Sequence, residues 1–208
     1  MSTASSSNNG SKRGPGRPPG GGVIVDRAQL LEAATSLIRD RGPDVTMADI
    51  AAASTVTKPI LYRTIGDREA LTNALSETLI DRINAAVNIR VSTGRDPRDD
   101  FHAAVSGYLA AIDADRNLFL FVNGGGHDTA VLQRLVERSA QQLVDLFAAA
   151  GRDEVASRTW SHAIVGAFQI VALMWLRDDY CDIDTLADNL ADLLWPGVSG
   201  GGRSSDDS

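Results

Sequence analysis

Residues 46–71, TMADIAAASTVTKPILYRTIGDREAL, constrain the fold more than any other stretch of this chain. They read as two short helices joined by a tight turn, followed by the start of a third. Thr46, with Asp49 three residues on, is a capping-box-like start signal. Met47, Ile50 and Ala51 then recur at helical spacing and form one apolar face. Ser54-Thr55-Val56 breaks that helix, and Thr57 caps the next. Pro59 is tolerated there because a first-turn amide has no helical acceptor to lose. Ile60 and Leu61 pack the second helix on the first, which leaves Lys58, Tyr62, Arg63 and Thr64 facing outward. A short helix that presents two cations, a phenol and a hydroxyl suits the major groove of DNA, so the pattern reads as a helix-turn-helix.

The rest of the chain is patterned for helices. Asp26 caps a segment to about Arg41 that Gly42-Pro43 ends, and Asp67 caps a long one to about Ile89. Asp96-Pro97 opens a helix to about Asp113, and Leu118–Val122 is a short apolar piece before Gly124–Gly126. Asp128 or Thr129 starts an amphipathic helix to Gly151, Asp153–Arg177 is long and apolar nearly all round in its second half, and Asp184 or Thr185 caps a last helix that Pro196-Gly197 stops after Trp195. Nine helices and no convincing strand make an all-α chain. The expected organisation is a disordered basic tail at 1–22, a helix-turn-helix domain at 23–72, a helical body at 73–196, and a disordered tail at 197–208.

The net charge of −7 is unusual for a DNA binder until it is divided along the chain. Residues 1–65 carry eight Lys/Arg against five Asp/Glu, while the remainder carries twelve against 22. A DNA-reading end joined to an acidic body accounts for that asymmetry. The longest apolar run, Ala163–Leu176, holds 14 residues and includes Gln169, so a buried helix is expected in place of a membrane span. The N-terminal residues lack the apolar segment of a secretory signal, and Cys181 is the lone cysteine, which points to a reducing cytosol. His102, His127 and His162 lack metal-site spacing, and no nucleophile elbow, nucleotide loop or paired-carboxylate frame is present, so neither a metal, a cofactor nor an enzymatic activity is expected.

Arg27-x-x-Leu-Leu-x-Ala-Ala, Gly42, Thr46-x-x-x-Ile50-Ala51, Thr57, Leu61-Tyr62 and Arg68-Glu69-x-Leu71 together resemble the N-terminal domain of the tetracycline-repressor (TetR) family of bacterial regulators over residues 26–72. The resemblance assigns ligand binding and dimerisation to the body at 73–196 and implies a homodimer on a pseudo-palindromic operator, released when a small ligand in the body changes the spacing of the two heads. It places base and phosphate contacts at Thr57, Lys58 and Pro59 and a phosphate contact at Tyr62. Arg63 and Thr64 are further candidates. Thr46 is either a phosphate contact or only a cap, and Arg68, unfavourable at a helix start, is explained by an external phosphate. The family's turn usually has glycine where this chain has Thr55, so a distorted turn is expected.

Lys12–Pro19, KRGPGRPP, resembles an AT-hook, with Arg17 placed either to enter an A·T minor groove or to attract phosphates non-specifically. Because Ala163–Leu176 is apolar on both faces, the resemblance makes its outer partner the same helix of a second chain, with Ala163, Gly166, Ala167 and Ile170 on one helix and Leu186, Leu190 and Leu193 on the last. Phe101, Tyr108, Phe119, Phe121, Trp160, Phe168 and Trp175 are either an apolar effector pocket or plain core. The chain therefore reads as a ligand-responsive regulator, a repressor by expectation, transmitting through Asp67–Ile89. The alternative is an architectural DNA-binding protein without a ligand.

Overall fold

The computed structural model describes residues 26–90, 96–124, 129–149 and 151–199, and these are helical with short connections. The basic tail with Arg17 and the cap candidate Asp128 lie outside the described residues. Helix α1 (Arg27–Arg41) starts at Asp26, whose carboxylate accepts from the Ala28 amide, and ends at Gly42. Helix α2 (Met47–Ala53) carries the complete capping box: the Asp49 amide donates to the Thr46 hydroxyl and the Thr46 amide donates to the Asp49 carboxylate. Helix α3 (Lys58–Thr64) follows, and Leu30, Ala34, Ile38, Ile50 and Leu61 bury completely or nearly so where α1, α2 and α3 meet.

The turn between α2 and α3 is a Schellman closure, with Thr55 N–H donating to Ala52 O and Val56 N–H to Ala51 O. The closure is regular, so the distorted turn expected there does not occur; Thr55 itself takes φ 55° and bears the conformational cost. A β-branched residue there crowds its own backbone. Thr55→Gly is accordingly expected to stabilise the protein by about 1 kcal/mol, after allowing for the freer unfolded chain. A thermal melt that is unchanged or lower would show that the threonine side chain offsets its strain. Gly66, at φ 102°, closes α3 against the next helix where a Cβ would stand 2.7 Å from that of Ala70.

Helix α4 (Arg68–Arg90) leaves the head and packs along α5 (Pro97–Ala114), and α5 in turn packs on α9 (Ile183–Ser199). Helices α7 (Thr129–Ala149) and α8 (Glu154–Asp178) form an antiparallel pair. The short α6 (Arg116–Gly124) lies between the head helices α1 and α4 on one side and α5 and α8 on the other. Two expectations for α9 fail. Its start is capped by Asp182, which accepts from the Thr185 amide and hydroxyl, in place of Asp184 or Thr185. Its end runs through Pro196 to Ser199. Pro196 forfeits the amide bond to Asp192 O in the last turns of the helix, while the Ser199 hydroxyl adds a bond to Trp195 O.

Candidate nucleic-acid interface and effector cavity

Lys58, Pro59, Tyr62 and Arg63 fall at i, i+1, i+4 and i+5 of α3 and are all exposed, Tyr62 by 48%. The opposite side is anchored by Leu61, fully buried, while Ile60 and Thr64 are half-buried at the flanks. Thr57 occupies the N-cap, yet its exposed hydroxyl makes no capping bond, so it is available to an outside acceptor. Neither Lys58 nor Arg63 makes an ion pair among the described residues.

Thr46 and Arg68 differ from the expectation. The Thr46 amide and hydroxyl both donate to Asp49, which holds that carboxyl below its usual range and leaves no donor for a phosphate unless the box opens. Arg68 is half-buried, donates to Val45 O at 2.8 Å, and lies 4.4 Å from the Phe121 ring centroid. These two internal partners explain a cation at a helix start without an external phosphate. Arg68 thus ties the loop before α2 to a side chain of α6.

In the body, α4, α5, α6, α7, α8 and α9 line a half-open cavity of about 600 Å³. Of the aromatics read as either pocket or core, Phe101, Tyr108, Phe119 and Phe168 border it, and Trp195, Phe147, Leu79, Ile83 and Val87 join them. Three of the aromatic candidates lie elsewhere. Phe121 faces the head beneath Arg68, Trp160 packs edge-on against Phe147 with Arg152 beside it, and Trp175 is buried with its indole N–H donating to Cys181 O. Helical periodicity makes these rings apolar-facing without saying which side of each helix borders the void.

Of the cavity's polar groups, Tyr108 is among the sequence candidates, while Asn123 and Asp100 carry no signal in the sequence pattern. Gln169 on α8 donates to Asn123 on α6, and the Asn123 amide donates to Phe119 O. Tyr108 packs on Phe168 with centroids 5.0 Å apart, and burial pushes its phenol above the usual range, so it stays protonated as a donor. Asp100 lines the cavity one helical turn before Ala104, and its Oδ1 is buried without a hydrogen-bond partner.

Helix α6 joins this cavity to the head. Phe119, Val122 and Asn123 border the void. At its start Asp115, 7% exposed, accepts from Arg39 Nε of α1 at 2.5 Å and from Arg82 Nη1 of α4 at 2.7 Å, and Asn117 donates to Arg39 O at the end of α1. Helix α4 also spans both regions, as expected, with Leu71 and Leu75 fully buried and Ser76, Ile80 and Asn84 on the cavity.

On the outer side of the body, Ala163, Gly166, Ala167, Ile170 and Met174 form a stripe on α8, with Ile170 58% and Met174 52% exposed. Leu193 of α9 is 74% exposed and shares a groove with Val171 of α8. Leu186 and Leu190, expected at the same interface, are 4% and 5% exposed and belong to the chain's own core, because they sit on the side of α9 that faces inward; they form only the floor of a shallow groove bordered by Val171 and Leu193. Helix α8 is long and apolar enough, by length and composition alone, to cross a membrane. Here its inner side, with Ile164, Phe168, Ala172 and Trp175, is buried in the protein. Among the described residues no cluster of His, Cys, Asp or Glu could hold a metal ion.

Comparison with known proteins bears on both regions. The family described as bacterial regulatory proteins, tetR family, matches residues 30–75, and the tetracyclin repressor-like C-terminal domain matches residues 82–207. An uncharacterised helix-turn-helix transcriptional regulator of Mycobacterium tuberculosis is 28% identical over 186 residues, covering 85% of this chain and 79% of that protein. The transcriptional activator FasR of Mycolicibacterium smegmatis is 26% identical over 207 residues, covering 92% and 94%. Among solved structures, a TetR-like regulator from Rhodococcus superposes with a TM-score of 0.60 at 26% identity, covering 84% of this chain and 96% of that one.

Proposed function

The chain belongs to the tetracycline-repressor family of bacterial regulators, and from that membership we propose that it binds a pseudo-palindromic operator as a homodimer and releases it when an apolar or amphipathic effector fills the body cavity. It is a DNA-binding transcriptional regulator of a non-enzymatic family whose C-terminal domains bind ligands. The observation that carries the finer reading is the continuity of α6. One helix borders the cavity through Phe119, Val122 and Asn123 and grips the head through Asp115, Asn117 and Phe121.

An effector can weaken DNA binding only by favouring the arrangement that fits the operator poorly. A ligand that displaces α6 also displaces Asp115, and with it the Arg39 and Arg82 contacts that set α1 and α4 against the body. Two heads held in one dimer then change separation together. Lys58, Pro59, Tyr62, Arg63, Thr57 and Thr64 form the DNA-reading surface, with Tyr62 and the two cations on the phosphates and groove edges. Ile170, Met174 and Leu193, with the small residues of α8, form the dimer face. The protein acts in the bacterial cytoplasm.

Repression follows where the operator overlaps a promoter. The relative FasR is named an activator, which favours a second reading in which the same release switches activation off. Selection of bound sequences from random duplex DNA by the full-length protein tests the core of the proposal. An inverted repeat is expected. Recovery of A·T-rich DNA without symmetry would overturn it in favour of an architectural protein led by its tail.

A further inference from the structure

The charge inventory of the cavity narrows the effector. Among its described lining residues there is no lysine, arginine or histidine, and Asp100 is the one that carries charge. The basic groups that flank Asp100 on α5 are committed elsewhere: Arg98 pairs with Asp192 at 2.7 Å and His102 with Asp188 at 2.7 Å, both on α9. Asp100 keeps one buried oxygen with no partner, on the helix face that also presents Phe101 and Tyr108 to the void.

A buried carboxylate oxygen without a donor is costly, and Asp100 is the one charged group among the described residues lining the void. An anionic head group would add a second uncompensated charge beside it. A cation removes the penalty. Next to Asp100, Phe101 and Trp195 stand with ring centroids 5.7 Å apart, and aromatic faces beside a carboxylate attract an ammonium group. Away from Asp100 the void is lined by Phe147, Ile164 and Phe168, with only neutral polar groups, Tyr108, Asn123 and Gln169, beside them.

Resting on the reading of this cavity as the effector site, we propose that it takes a lipophilic monocation, its ammonium beside Asp100 and the Phe101–Trp195 pair and its hydrocarbon running toward Tyr108 and Phe168. Discrimination then comes from one carboxylate, and a carboxylate-headed amphiphile of the same length is rejected.

The test titrates the full-length protein with decyltrimethylammonium, decanol and decanoate, each below its micellar concentration, by calorimetry and by tryptophan fluorescence. The cation is expected to bind at least tenfold more tightly than decanol and at least a hundredfold more tightly than decanoate. Asp100→Asn is expected to cost the cation tenfold or more while decanol binding stays within twofold, and Asp100→Glu is expected to keep the preference. Decanoate binding as tightly as the cation, or a preference that survives in Asp100→Asn, would overturn the charge assignment. If all three bind alike and release operator DNA, the assignment falls and the effector cavity stands. If none binds, both fall.

Discussion

Replacing Lys58 and Arg63 together by alanine is expected to lower operator affinity about a thousandfold and to flatten its dependence on salt. Both side chains are exposed on the outer face of α3, and neither pairs with an acid among the described residues, so their positive charge is uncompensated at the surface. In a dimer the double substitution removes four cations from the DNA. At about 1 kcal/mol for each cation the penalty is about 4 kcal/mol, roughly three decades in Kd. Each phosphate no longer neutralised by a side chain also lowers the slope of log affinity against log salt by about 0.9. The fold should not respond, because Leu61 and Ile65 carry the packing of this helix and both remain. Fluorescence anisotropy across a salt series, beside a thermal melt, checks both. An unchanged slope with an unchanged melt would remove α3 from the DNA surface.

The head is legible in the sequence because its signals are local. The Thr46–Asp49 capping box, the break at Ser54–Val56 and the Asp26 cap each act within a few residues, and each appears as expected. The strain at Thr55 is foreseen only through the family resemblance, whose turn usually has glycine at that place. The body is legible in its helices but not in its surfaces. Periodicity shows that Phe121, Phe168 and Trp175 point inward, but whether inward means the cavity, the head or the core depends on which helix lies opposite. Leu186 and Leu190 depart from expectation for the same reason: an apolar stripe does not declare whether its partner lies in the same chain.

Asp115 and Arg68 show a different limit. Asp115 gathers two arginines that lie 76 and 33 residues away in sequence, and no motif around it announces that role. Arg68 stands out in the sequence because a cation at a helix start opposes the dipole, which is a sound signal. Its partners, Val45 O and the Phe121 ring, are tertiary contacts that nothing local specifies. The linkage between head and body is thus the part of this protein that only the assembled structure exposes.

Placing an aspartate at both Ile170 and Leu193 is expected to convert the protein to monomer at micromolar concentration and to abolish measurable operator binding. Neither position is used inside the chain, since Ile170 is 58% and Leu193 74% exposed. A second copy would cover them, and the small residues Ala163, Gly166 and Ala167 let two α8 helices approach closely. The double variant removes four apolar side chains from a symmetric interface. At about 1.5 kcal/mol each that is about 6 kcal/mol, or roughly four decades in the dimer Kd. Buried like charges facing each other across the two-fold axis add to this. Operator binding falls with the dimer because each half-site alone offers only half of the interactions, and linked binding multiplies rather than adds. Sedimentation velocity and anisotropy on the same samples decide the matter. A variant that remains dimeric would place the interface elsewhere. A monomer that still binds the full operator as tightly as the parent would show that the two heads do not act through this face.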